Sequence, residues 1–132
     1  MMSQDLQHCV SALRAETSAD RVVFVSGNFN IIHPGHLRLL NFARTCGDCL
    51  VVGLFEDGQP GVALPFDLRR EGLESLGAVT KVIPLANADL RSLIVALRPY
   101  AVVKGKEHEL SANLEREAVR AYGGHLIFSA GE

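Results

Sequence analysis

Five short, nearly unbroken apolar runs alternate with segments of helical periodicity, and this alternation most restricts the fold. The runs are Arg21-Val22-Val23-Phe24-Val25, Leu50-Val51-Val52-Gly53-Leu54, Lys81-Val82-Ile83-Pro84, Tyr100-Ala101-Val102-Val103-Lys104 and Leu126-Ile127-Phe128. Their length and β-branched content predict strands. They lack the polar–apolar alternation of a strand with one wet face, so both faces of the sheet must be covered. The covering helices are also legible. Leu6, Cys9, Val10 and Leu13 recur at helical spacing, which predicts a helix near residues 3–16. Pro34 opens a second helix where its missing N–H is harmless, and Leu37, Leu40, Phe42 and Ala43 help form its inner face. Gly47 ends that helix as a C-terminal glycine. Pro65 to Leu76 reads as a third helix, weakened by Gly72. Asp89 caps a fourth helix that carries Leu90, Leu93, Ile94 and Leu97. Glu109 to Tyr122 is a fifth, stopped by Gly123-Gly124. The fold class predicted is α/β, a doubly wound, mostly parallel five-stranded sheet. Ligands on such sheets bind beyond the strand C-terminal ends, where strand order reverses.

The chain has 132 residues, which fits one domain over 1–132. There is no internal repeat or linker. No helical pattern follows Phe128 to cover the last strand, so the expectation is that this domain is the N-terminal part of a longer protein. The formal net charge is −2, so no global basic field is present to attract nucleic acid. No apolar stretch approaches the roughly 20 residues of a membrane span. The first residues lack a basic start followed by an apolar run, which excludes a signal peptide and predicts a cytoplasmic location. The three cysteines are an odd count without a dense framework, which fits a reducing compartment. Cys46-Gly47-Asp48-Cys49 has the spacing of a redox pair or half a zinc site, but it flanks a helix-to-strand turn and has no matching second pair. The structural reading is preferred.

The densest chemical signal is Gly27-Asn28-Phe29-Asn30-Ile31-Ile32-His33-Pro34-Gly35-His36, directly after the first strand and before a helix. Gly27 allows a phosphate close to the backbone. The helix N-terminus offers N–H groups and a positive dipole end to an anion. Both imidazoles straddle one turn and can donate hydrogen bonds to phosphate oxygens. Phosphoryl and nucleotidyl transfer need little beyond positioning and charge stabilisation. Two histidines three apart can also bind a metal, but no third ligand of suitable spacing lies nearby, so no metal site is assigned to the chain. A purely structural pair is the other alternative. The strand, glycine turn and helix around it favour the functional reading.

This segment resembles the H-x-G-H signature of the cytidylyltransferase-like nucleotidyltransferases. Leu37-Arg38-Leu39-Leu40 and Gly47-Asp48-Cys49-Leu50-Val51-Val52-Gly53 look like that family's helix and second strand. Val103-Lys104-Gly105 looks like its sugar-phosphate branch, the nucleotidyltransferase domain of ADP-heptose synthases, with glycerol-3-phosphate cytidylyltransferases as close relatives. The resemblance runs from about Arg21 to Phe128 and implies a Rossmann-like nucleotidyltransferase fold. It also implies a reaction: a sugar or polyol phosphate attacks the α-phosphorus of Mg²⁺-bound CTP or ATP, and pyrophosphate leaves. His33, His36 and Arg69 are then the catalytic residues, with Arg69 contacting the triphosphate. Gly27, Asn28, Phe29, Asn30 and Gly35 hold phosphate. Lys104, Gly105, Lys106 and Glu107 border the nucleotide and substrate. Arg38 and Arg44 read as surface charges, and His108 and His125 as incidental. Relatives are commonly homodimers, and the first helix packs either on its own sheet or on a second subunit.

Three departures from the family pattern stand out. Asn30 replaces the usual Asp. The segment 57–64 carries no lysine, where the family often places lysines for triphosphate. The chain ends at Glu132, before a Ser/Thr-rich closing motif. An alternative function follows: a turnover-deficient regulatory domain that binds a nucleotide or sugar phosphate. A third reading is an adenylyltransferase acting on a coenzyme precursor.

Overall fold

The computed structural model describes residues 4–16, 21–109 and 113–129. The elements are α1 (Gln4–Glu16), β1 (Val22–Gly27), α2 (Pro34–Thr45), β2 (Cys49–Phe55), α3 (Phe66–Glu74), β3 (Lys81–Leu85), α4 (Leu90–Leu97), β4 (Ala101–Gly105), α5 (Asn113–Arg120) and β5 (His125–Ser129). The five strands form one sheet in the order β3-β2-β1-β4-β5, and every neighbouring pair is parallel.

Successive residues of β1 serve opposite layers, as the pleat requires. Val22 and Phe24 join a core with Leu6, Val10 and Leu13 of α1, the leucines of α4, and Ala118 and Val119 of α5. Val23 and Val25 join the other core with Leu40 and Ala43 of α2 and Leu73 of α3. Helices therefore cover both faces, which is why the strands read as continuous apolar runs. The chain winds outward from β1 to β3, then crosses back to place β4 beside β1 on the opposite side. That reversal opens a crevice at the C-terminal ends of β1 and β4.

Helix α1 buries its apolar stripe in this chain's own core. Arg14 ties it to the end of α4 by donating to the carbonyls of Leu97 and Arg98 (the latter at 3.1 Å). Arg98 caps α4 in the left-handed conformation, φ 54°. Among the described residues, no helix is long and apolar enough to cross a membrane.

Several local expectations are corrected. Gly47 is not a left-handed cap: α2 ends at Thr45 with Cys46 as its C-cap. A Cβ on Gly47 would lie 2.4 Å from the Arg21 carbonyl oxygen, so close packing against β1 is the reason for glycine. Asp89 makes no side-chain cap; Asn87–Asp89 form a 3₁₀ turn that leads into α4 instead. Helix α3 starts one residue after Pro65, which stands at its N-cap, and ends at Glu74. The fifth helix is shorter than expected: Glu109 stands in the turn that follows the 3₁₀ segment Lys106–His108, and 121–123 form a turn after α5. Ser3 and residues 110–112 of the predicted helices lie outside the described residues.

Tyr122 closes the α5–β5 corner by donating its hydroxyl to the Pro99 carbonyl at 2.7 Å. Burial pushes its pKa up to about 12, against the opposing pull of the Arg98 and Arg14 charges. The folded state thus favours the neutral phenol. Its contribution is fully present below the unfolded value of about 10 and is lost as pH rises through about 12. Tyr122→Phe is expected to lower stability by about 0.5–1.5 kcal/mol at neutral pH. It should also flatten the loss of stability between pH 10 and 12, as read by denaturant unfolding across that range.

Candidate functional site

The turn into α2 explains each residue of His33-Pro34-Gly35-His36. His33 is the N-cap, in extended conformation, and its Nδ1 accepts from the Gly35 N–H at 3.0 Å. His36, three residues on, returns the favour: its Nδ1 accepts from the His33 N–H at 3.3 Å. This is a capping box made with two imidazoles in place of a hydroxyl and a carboxylate. Pro34 occupies the first helical position. Gly35 is required because a Cβ there would lie 2.7 Å from His33 Cε1. The two rings stack with centroids 3.9 Å apart and planes at 29°.

The cap has a chemical consequence. A ring nitrogen that accepts a hydrogen bond carries no proton, so each neutral imidazole holds its proton on Nε2. In each ring Nε2 lies across from the Nδ1 that the backbone engages. His36 lines a cavity of 510 Å³, and His33 stacks on it while remaining exposed.

The cavity lies in the crevice between β1 and β4. Its walls include Gly27, Asn28, Phe29 and Asn30 after β1, and Lys104 and Gly105 at the end of β4. Phe29 is buried, has φ 45°, and meets His36 edge to face at 5.2 Å. A left-handed non-glycine residue costs about 1–2 kcal/mol, and here that conformation lays the ring beside Gly27. A Cβ on Gly27 would lie 2.7 Å from the Phe29 ring. The expectation that Gly27 leaves room for a phosphate is therefore amended: the Phe29 ring takes that space.

Arg69 requires a larger correction. Its side chain is fully buried and does not line the cavity. Nε donates to the Leu64 carbonyl at 2.7 Å, and Nη1 donates to those of Asn28 (3.0 Å) and Phe55 (2.7 Å). Nη2 meets Asp57 Oδ1 at 3.2 Å, and that oxygen also accepts from the Phe66 N–H. Arg69 thus joins the β1–α2 loop to the segment after β2, with its guanidinium turned to these partners and not to the cavity. Asn30 belongs to the same system. Its Nδ2 donates to the Gly61 carbonyl at 2.9 Å, and its Oδ1 accepts from the N–H groups of Ala63 (2.8 Å) and Leu64 (3.2 Å). Aspartate could accept both bonds but could not donate to Gly61, which accounts for the amide at this position. Asn28 adds a bond from Nδ2 to the Pro60 carbonyl at 3.2 Å. That bond fixes its Oδ1 as a buried acceptor with no protein partner.

Lys104 reaches the cavity as expected, but with its Nζ 2.7 Å from Glu115 Oε2. Lys106 is exposed and does not line the cavity. Glu107 lies in the same 3₁₀ turn, and its side chain falls outside the described residues. Phe55, Asn87 and Glu115 line the cavity without having been singled out in the sequence, and His108, read there as incidental, lines it as well. Of these, His108 had a signal available, being four residues beyond Lys104 at the strand end that borders the crevice. Glu115 reads in the sequence as an ordinary acidic residue early in a helix. Cys46 and Cys49 form no disulfide; burial raises the Cys46 pKa. Among the described residues, no three His, Cys, Asp or Glu side chains converge to hold a metal.

A family model described as cytidylyltransferase-like matches residues 24–125. Bifunctional protein HldE of Pseudomonas aeruginosa (strain LESB58) is 34% identical over 119 residues, covering 85% of this chain and 25% of that protein. The HldE of Geobacter sulfurreducens is 34% identical over 113 residues, covering 80% and 23%. The chain therefore spans about a quarter of the length of these relatives. Among solved structures, the lipopolysaccharide core biosynthesis protein of Thermoplasma volcanium GSS1 superposes with a TM-score of 0.69 at 20% identity, covering 83% of this chain and 96% of that one. Pantothenate synthetase of Thermus thermophilus gives 0.65 at 18% identity, covering 89% and 58%. At these identities the structural likeness shows the shared fold.

Arg69→Lys is expected to lower stability by about 3 kcal/mol or more. A lysine cannot reproduce the guanidinium's bonds to three carbonyls in fixed geometry, and each lost bond from a charged donor costs about 1.5–3 kcal/mol. Thermal and denaturant unfolding read this directly, and the segment 57–64 should lose amide-exchange protection first.

Proposed function

The chain belongs to the cytidylyltransferase-like family, and from that premise we propose that it is a nucleotidyltransferase which joins a nucleoside monophosphate from CTP or ATP to a sugar or polyol phosphate. An oxygen of the acceptor phosphate attacks the α-phosphorus, the bond to the bridging oxygen breaks, and pyrophosphate leaves with that electron pair. No covalent enzyme intermediate is involved. The observation that carries this reading is the histidine pair at the start of α2, whose Nδ1 atoms are engaged by backbone, which sets the ring proton on Nε2, and of which His36 lines the cavity. Such preorganised donors act where charge develops and need no reorganisation during reaction. The backbone around Asn28 and Phe29 borders the α-phosphate. No residue of the chain is assigned to Mg²⁺, which would come bound to the triphosphate as part of the substrate and would supply charge neutralisation there. The resemblance of Val103-Lys104-Gly105 to the sugar-phosphate branch supports the acceptor class, and a homodimer remains part of the proposal.

A second reading is favoured by the neutralised Lys104 and the lysine-free segment 57–64. In it the site binds a nucleotide or sugar phosphate without turnover and regulates a fused or partner enzyme. The two readings divide on product formation with a panel of sugar phosphates.

Calorimetric titration with Mg-CTP and Mg-ATP tests what both readings share. One nucleotide should bind, and His36→Ala should weaken it by roughly 10- to 100-fold, the loss of a hydrogen bond to a charged group. Equal binding by folded His36→Ala, or no binding of either nucleotide by the unaltered chain, would overturn it.

A further inference from the structure

Among the described residues lining the cavity, Lys104 is the one lysine or arginine, and Glu115 is the one carboxylate. They face each other at 2.7 Å, Lys104 from the end of β4 and Glu115 from the first turn of α5. Glu115 is 6% exposed, and the two side chains are 17% and 8% exposed. A pair this close and this shielded from water cancels its own charge locally, and separating it would strand a buried ion. The early helical position of Glu115 adds to its hold, since the N-terminal end of a helix favours negative charge. Arg69, the other cation expected at the triphosphate, is enclosed by carbonyls and does not reach the cavity.

We propose that Glu115 is a specificity-determining residue: by pairing with Lys104 it removes a phosphate-binding cation from the β4 side and leaves a donor–acceptor pair that reads sugar hydroxyls. A hydroxyl both donates and accepts, so it can accept from the ammonium while donating to the carboxylate. A phosphate can only accept in its ionised form, and it is repelled by the carboxylate. Polyphosphate is thereby directed to the His33–His36 end of the cavity, and the hydroxyl-bearing, uncharged part of the nucleotide or acceptor to the Lys104–Glu115 end. This inference rests on the nucleotide reading given above.

The test is calorimetric titration of the full chain with the Mg-nucleotide that it binds and with the matching nucleoside, which lacks phosphates. Glu115→Gln keeps the shape and an oxygen for Lys104 but removes the negative charge. It should tighten Mg-nucleotide binding by roughly tenfold, the size of one unmasked hydrogen-bonded charge, and the gain should grow at low salt. The nucleoside should show no such gain. Lys104→Met leaves the carboxylate unpaired and should weaken Mg-nucleotide binding by about tenfold. Adding Glu115→Gln to Lys104→Met should recover affinity. A structural role for Glu115 would instead lower affinity for both ligands. Overturning results are unchanged or weaker Mg-nucleotide binding by folded Glu115→Gln, or a double variant no better than Lys104→Met. If the unaltered chain binds neither Mg-CTP nor Mg-ATP, the nucleotide reading falls and takes this inference with it. Binding by the unaltered chain without the charge effects defeats this inference alone.

Discussion

The reciprocal cap between His33 and His36 is the interaction on which the site depends. A helix N-terminus needs acceptors for its first N–H groups, and here the acceptors are the same rings that the proposed function uses. Capping therefore fixes each ring's tautomer, rotamer and position at once. Gly35 is small so that the His33 ring can fold back over it. Phe29 adopts a left-handed backbone and braces the His36 edge. One local motif thus couples the start of α2 to the end of β1, and the parallel sheet carries that point to the strand C-terminal edge beside β4.

A second, nonlocal system holds the surrounding loops. Arg69, Asn28, Asn30 and Asp57 hydrogen-bond the β1–α2 loop to the segment after β2. The acceptors involved are mostly backbone carbonyls, among them those of Asn28, Pro60 and Gly61. This division leaves the cavity sparse in fixed charge. Asn28 supplies a buried acceptor, and Lys104 is balanced by Glu115. On the proposed function, such a site would recognise phosphate by oriented dipoles more than by net charge.

The sheet was readable from the sequence because each strand is apolar on both faces, and that pattern admits only a doubly covered parallel arrangement. The His33–His36 turn was readable because its spacing, proline and glycine are local. What escaped were properties set by tertiary packing. Arg69 sits on α3 with its sequence neighbour Arg70, which is exposed and ion-paired to Asp67 and Glu74 on the helix surface. Nothing local separates the two arginines; only the approach of Asn28 and Phe55 turns one into a buried clamp. Asn30 looks like a weakened aspartate until the Gly61 carbonyl appears opposite its amide. Glu115 stands eleven residues from Lys104, across a turn and a helix start, and no periodicity links them. Asp89 shows the reverse error, because a good capping residue went unused when a 3₁₀ turn set the entry to α4.

The central claim is that backbone caps hold both histidines as Nε2–H donors. Long-range ¹H–¹⁵N correlation spectroscopy of the imidazole rings at neutral pH reads the tautomer of each ring without any ligand. His33 and His36 should both carry the proton on Nε2, with Nδ1 unprotonated. A proton on Nδ1 of either neutral ring would contradict the claim, since that nitrogen could then no longer accept the backbone N–H that defines the cap.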